Sequence, residues 1–184
     1  MAAPRPAPLS APSRGKILAR ALDGLAVLLI AAAIWKLVLA PRMLGEPSRA
    51  TPTPPVVLAM MGGGTFDLAK ARGKVVFLDF WASWCEPCKL SIPLVQHYEA
   101  AHHDVEVVSI DAGEPVPLAE RFAAERKMRR VAFDPQMRAS DAFGVDVFPT
   151  MIVVDPHGKQ RAKWVGFNPL IESAMDHARK TLAR

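Results

Sequence analysis

The stretch that most constrains this chain is residues 74–81, KVVFLDFW, which runs directly into ASWCEPCKLSIP. A continuous apolar run of this length reads as a strand buried in the middle of a sheet. Behind it, EPCKLSIPLVQHYEAAH has helical periodicity, with Leu90, Leu94, Tyr98 and Ala101 on one stripe and Pro93 expected to kink the helix. VEVVSID (105–111) reads as a second strand and PLAERFAAERKM (117–128) as an amphipathic helix with Leu118, Phe122 and Ala123 inward. VAFD (131–134) fits a short strand. Residues 151–167 fit a hairpin turning at Pro156-His157-Gly158, and a last helix follows Asn168, a candidate N-cap. Strand and helix alternating, then a hairpin and a helix, imply an α/β sandwich with a parallel core and an antiparallel edge.

The N-terminal quarter has a different character. The formal charge of +5 resides entirely in residues 1–49, where seven Lys/Arg face only Asp23 and Glu46. A basic excess confined to the flanks of an apolar stretch argues for a membrane and against nucleic acid. Leu22 to Ala40 would rise about 28 Å as a helix, close to a hydrocarbon core of roughly 30 Å. Its uninterrupted apolar run, Gly24 to Trp35, also has the length of a signal-peptide core; cleavage after Ala40 is the alternative, with Pro41 unfavourably placed beside the cut. The expected organisation is a disordered cytoplasmic tail over 1–16, a transmembrane signal-anchor over 17–40, a Pro/Gly-rich linker over 41–64 and a globular domain over 65–184.

Both cysteines, Cys85 and Cys88, follow the central strand. Structural zinc needs about four ligands, and no histidine stands at finger spacing from this pair. A structural disulfide closing so small a ring contributes little loop entropy. A redox pair suits the position better. At a helix N-terminus, free N–H groups and the positive dipole end favour a thiolate. The first cysteine is expected exposed in the turn and the second one turn deeper, as attack followed by resolution requires.

DFWASWCEPCK resembles the active-site stretch of thioredoxins. The wider pattern, with VVSID, FDPQMRASDAFGVDVFPTMIVVDPHGK and WVGF, resembles the membrane-anchored TlpA/ResA-type thiol–disulfide oxidoreductases, some of which serve cytochrome c maturation. The resemblance implies a thioredoxin fold behind an N-terminal transmembrane anchor helix. It makes Cys85 the nucleophile, Cys88 the resolving thiol and Pro149 the cis-proline, with Phe148 pairing backbone-to-backbone with substrate. Asp79 falls on the buried acid of thioredoxin and would take the Cys88 proton; Val107 stands where a lysine usually faces that acid. A carboxyl merely satisfied by hydrogen bonds is the plainer reading of Asp79.

Glu86 and Pro87 lie between the cysteines. A negative charge beside Cys85 opposes thiolate formation and biases the couple toward reduction; a solvated Glu86 of small effect is the alternative. Trp84 is expected in a hydrophobic docking rim and Trp81 in packing beneath the site. The expected protein is a monomeric periplasmic reductase of protein disulfides, with apocytochrome c one candidate substrate. A membrane thiol relay of the DsbD/CcdA kind would supply electrons, and neither cofactor nor metal is needed. Its rivals are an oxidase running the same chemistry backward and a copper-binding metallochaperone using the same two thiols.

Overall fold

The 74–81 run needs cover on both faces, and the computed structural model, which describes residues 14–36 and 50–183, supplies it. Contacts divide the chain into an N-terminal unit ending at Pro41 and a larger unit beginning at Arg42. The larger unit holds eight strands: β1 (Thr51–Pro52), β2 (Val57–Met60), β3 (Thr65–Asp67), β4 (Val76–Trp81), β5 (Glu106–Ala112), β6 (Val131–Asp134), β7 (Thr150–Val154) and β8 (Lys159–Val165). They form one sheet in the order β1-β8-β7-β4-β5-β6-β2-β3. β4 runs parallel to β5 and antiparallel to β7, while β5 and β6 are parallel, so the parallel core and antiparallel edge are as the sequence implies.

Helix α1 (Arg14–Ile34) belongs to the first unit, and α2 (Glu86–Ala101), α3 (Val116–Glu125), α4 (Arg138–Ala142) and α5 (Ile171–Leu182) to the second. Alternation along the strands sorts the core into two layers. Val76, Leu78 and Phe80 pack with Val108, Ile110 and Ile152 toward Ala139 and Phe143. On the opposite face, Phe77 packs with Val95 and Tyr98 of α2 and Met175 and Ala178 of α5, and Trp81 with Ile92 of α2 and Ala119 and Ala123 of α3. This is a thioredoxin fold, a mixed sheet flanked by helices.

Several expectations are corrected. Residues 50–64 are not linker: β1 pairs with β8, and β2 with both β3 and β6. Val56 and Leu58 are buried there, so the globular unit starts well before residue 65. Met60-Met61-Gly62-Gly63-Gly64 is a closed turn between β2 and β3, with the Met60 N–H on the Gly64 carbonyl at 3.1 Å. Leu90 and Leu118 face solvent. The inward face of α2 is Cys88, Ser91, Ile92, Val95 and Tyr98, and that of α3 is Ala119 and Ala123. α2 runs through Pro93 without a break in the assigned helix. Asn168 lies two residues ahead of the α5 cap residue and holds the preceding turn, accepting the Leu170 N–H at 2.9 Å.

α1 carries exposed apolar side chains from Leu25 to Ile34, and Trp35 beyond its end is also exposed. Among the described residues no helix is long and apolar enough to cross a membrane. The expected span extends to residue 40, and its last four residues, most of the expected tail and the linker up to residue 49 lie outside the described residues.

The edge assignment makes a specific prediction. Leu58→Ala destabilises the protein by about 2–4 kcal/mol in urea unfolding, as a buried large-to-small change does. Val57→Ala, on the outward face of the same strand, changes stability by no more than about 0.5 kcal/mol. A linker would give the two substitutions equal, negligible effects.

Candidate active site

β4 ends at Trp81, and a turn over Ala82–Cys85 delivers the chain to α2, closed by the Cys85 N–H on the Ala82 carbonyl at 3.1 Å. Cys85 is the N-cap of α2, in an extended conformation, and its Sγ accepts the Cys88 N–H at 3.2 Å. Pro87 occupies the first turn, where its missing N–H removes no helical hydrogen bond. The two cysteines are joined as a disulfide, their Cα atoms 5.3 Å apart. When the pair is reduced, the same N–H and the dipole of a 16-residue helix favour a thiolate at Cys85.

Cys85 is less open than expected, at 4% exposure against 0% for Cys88. Trp81, Ala82 and Ile92 enclose them, with Phe148 against the same cluster. The asymmetry therefore rests on depth within an apolar pocket. Apolar surroundings raise a thiol's pKa and act against the helix terminus.

The peptide bond Phe148–Pro149 is cis, matching the role implied for Pro149. Phe148 meets Trp84 edge-on, ring centroids 6.0 Å apart, and Trp84 is 65% exposed. With exposed Val147 they form an apolar rim at the disulfide. Trp81 is fully buried and stacks on Phe122 at 5.2 Å, a packing role as expected. Glu86 has a bland surrounding: its side chain is 79% exposed and its carboxylate meets Lys89 Nζ at 2.5 Å. A solvated, paired charge of this kind is worth tenths of a kcal/mol, so Glu86 does little to set the couple.

Asp79 lies between Phe77 and Trp81 on the β4 face that α2 covers, opposite Ser109 of β5 and Met151 of β7 in the register. Burial alone pushes its carboxyl up to about 7, and its Oδ2 has no hydrogen-bond partner. Val107 is buried on the same face, so no cation stands in the place of the usual lysine.

One group was missed by sequence reasoning. Glu114, in the loop between β5 and α3, is buried, and its carboxylate accepts both the main-chain N–H of Ser83 at 2.5 Å and the Ser83 hydroxyl at 2.6 Å. Asp111 at the end of β5 is fully buried, and burial followed by the adjoining Glu114 raises it to about 8. The sequence signal was two acids, Asp111 and Glu114, either side of Ala112-Gly113 at a strand's C-terminal end, where α/β sheets gather their sites.

The raised Asp79 makes a signed prediction. Its folded pKa lies above the unfolded value of 3.8, so its favourable contribution is complete below about pH 4 and is lost as pH rises through about 7. Asp79→Asn therefore gains up to a few kcal/mol over wild type in urea unfolding at pH 8 and nothing at pH 3.5. Equal gains at both pH values would contradict the assignment.

The comparisons agree with this geometry. A model of the Redoxin family matches residues 49–178. ResA of Geobacillus thermodenitrificans, named a thiol–disulfide oxidoreductase, is 33% identical over 58% of this chain and 63% of its own length. ResA of Bacillus subtilis is 32% identical over 61% of this chain and 64% of its own. The chain thus matches somewhat under two thirds of these relatives. A Chlorobium tepidum structure, provisionally assigned as the thiol:disulfide interchange protein DsbE, superposes with a TM-score of 0.69 at 30% identity, covering 76% of this chain and all of that one. A cysteine pair capping a helix in this fold, and likeness to these proteins across the same residues, place the chain in the Redoxin family, with a ResA/DsbE-like thiol–disulfide oxidoreductase domain.

Proposed function

We propose that the protein is a reductase of protein disulfides, carried by the one observation that Cys85 and Cys88 form a disulfide at the N-terminus of α2, at the foot of an apolar rim. The reduced protein attacks a substrate disulfide through the Cys85 thiolate. One sulfur–sulfur bond breaks, a mixed disulfide forms, and one substrate sulfur leaves as thiolate. The Cys88 thiol then gives its proton to the Asp79 carboxylate and attacks Cys85 Sγ. The second substrate thiolate leaves, and the Cys85–Cys88 disulfide remains. Two electrons have passed to the substrate, and an external dithiol must return them.

The apolar pocket supports the reducing direction, because burial penalises the thiolate on which an oxidising couple depends. Glu86 does not carry this argument. Trp84, Val147 and Phe148 are the docking rim, and an extended substrate segment lies along Phe148. Protein disulfides, apocytochrome c among them, are the substrate class, and a membrane thiol relay of the DsbD/CcdA kind is the electron donor. The exposed apolar side chains of α1 and the basic residues beside them support tethering to the bacterial inner membrane, with the domain in the periplasm.

With dithiothreitol as donor, the protein reduces insulin, and Cys85→Ser abolishes the activity. Its midpoint potential falls nearer that of thioredoxin, about −270 mV, than that of DsbA, about −120 mV. Cys88→Ser accumulates mixed disulfides through Cys85 in cells, which gel mobility with and without reductant reveals. A potential close to that of DsbA would assign the reverse direction.

A further inference from the structure

The turn that presents Cys85 is gripped from outside its own element. Ser83 and Trp84 are its two central residues, and Trp84 projects to solvent. Nothing in the sequence of the turn itself fixes it beyond the single closing hydrogen bond. We propose that Glu114 is a positioning residue for the nucleophile: its carboxylate grips the Ser83 N–H and hydroxyl and so holds Cys85 Sγ at the α2 N-terminus.

Glu114 is itself firmly placed. Gly113 adopts φ +77°, a conformation that strains any other residue, and its N–H is held by the Asp134 carbonyl at 3.1 Å. A side chain at 113 would also meet the Met137 sulfur at 3.1 Å. The bend after β5 is thereby fixed, and it turns Glu114 back toward the end of β4. Two of the carboxylate's lone pairs are used by Ser83, and Asp111 adjoins it from β5.

Asp111 makes that grip depend on pH. Neither oxygen of the buried Asp111 carboxyl has a hydrogen-bond partner, and the Glu114 carboxyl adjoins it. A second carboxyl beside a buried one disfavours its ionised form. The groups facing Asp111 are Glu114, the buried Asp134 at the end of β6, and apolar or uncharged partners: Trp81 across β4, Phe133 across β6 and the alanines of α3. All the nearby charge is negative and adds to burial in raising Asp111 to about 8. Below that pH Asp111 is uncharged and leaves Glu114 aimed at Ser83. Above it, two adjacent carboxylates repel and the grip on the turn weakens.

The inference rests on the disulfide-reductase reading, and two assays separate the failure of one from the failure of the other. The first is alkylation of the fully reduced protein by iodoacetamide at pH 8, which needs no substrate. Glu114→Gln slows modification of Cys85 several-fold, because the sulfur leaves the helix terminus that stabilises its thiolate. If Glu114 acted only through its charge, removing it would speed alkylation, and that result overturns the proposal. Ser83→Ala, which spares the main-chain bond, gives a smaller slowing in the same direction and serves where Glu114→Gln fails to fold by circular dichroism. Wild-type alkylation rates in Ser83→Ala also overturn it.

The second assay is insulin reduction across pH 6–10. Glu114→Gln lowers kcat/KM roughly 10-fold at its optimum, the scale expected when a nucleophile is misplaced by a fraction of an ångström. Wild type loses activity above about pH 8, whereas Asp111→Asn, which stays neutral, holds its rate at pH 9 above that of wild type. An alkaline limb unchanged in Asp111→Asn counts against the role of Asp111. A wild type that alkylates normally but never reduces insulin refutes the reductase reading and leaves the positioning result standing.

Discussion

Every residue of β4 is buried, and that constraint organises the rest of the domain. A strand with no exposed face must be hydrogen-bonded on both edges and covered on both sides. β5 and β7 supply the edges, α2, α3 and α5 one cover, and the α4 segment with Leu58, Phe66 and Leu68 the other. Because β4 cannot shift register without moving its apolar set, the point where it ends is fixed as well. The chain leaves the sheet at Trp81, turns within four residues and enters α2 at Cys85. The reactive sulfur thus inherits its position from a strand buried at every residue. Its chemistry comes from the helix terminus into which that element delivers it.

What could be read from the sequence follows from the same logic. β4, β5, the β7–β8 hairpin and α2 were legible because each is long enough, or apolar enough, to show its own period. β1 and β2 were not. They span two and four residues, sit among prolines, and exist because β8 and β6 offer edges that lie about a hundred and about seventy residues further along the chain. α4 was missed for a related reason. Its five residues carry no amphipathic signal, and Asp134, from the preceding strand, satisfies its first N–H groups at Ala139 and Ser140.

Helix phase was misread where leucine was taken as the inward residue. In α2 the fully buried Cys88 sets the phase, and Ile92, Val95 and Tyr98 follow on its face, which turns Leu90 outward. In α3 Ala119 and Ala123 face the buried cluster of Trp81 and Val131, with Phe122 stacked on Trp81 beside them, which turns Leu118 outward. Of the expected site residues, the cysteines were marked by their spacing, and Asp79, Phe148 and Pro149 by the family resemblance; the fold sets Cys85, Cys88 and Phe148 in one cluster, with Trp84 against Phe148. Glu114 carried no such mark, because its partner Ser83 lies 31 residues away and only the fold brings the two together.

Two buried carboxyls on neighbouring strands share one face of the sheet, and they differ in a way that separates their roles. Asp79 has neither cation nor donor at Oδ2, so its ionisation is opposed by burial alone and settles near neutrality. That is the state a proton acceptor for a buried thiol requires, since a base ionised far below neutral pH would be too weak. Asp111 has a second carboxyl beside it, which adds to burial in raising it to about 8. An apolar residue at either position would be cheaper for folding. The cost is incurred at the end of the sheet that carries Cys85 and nowhere else along β4 and β5, whose other inward positions are apolar apart from Ser109. Concentrating the unfavourable burial there means that the groups which destabilise the domain are those proposed to act on, or hold, its disulfide.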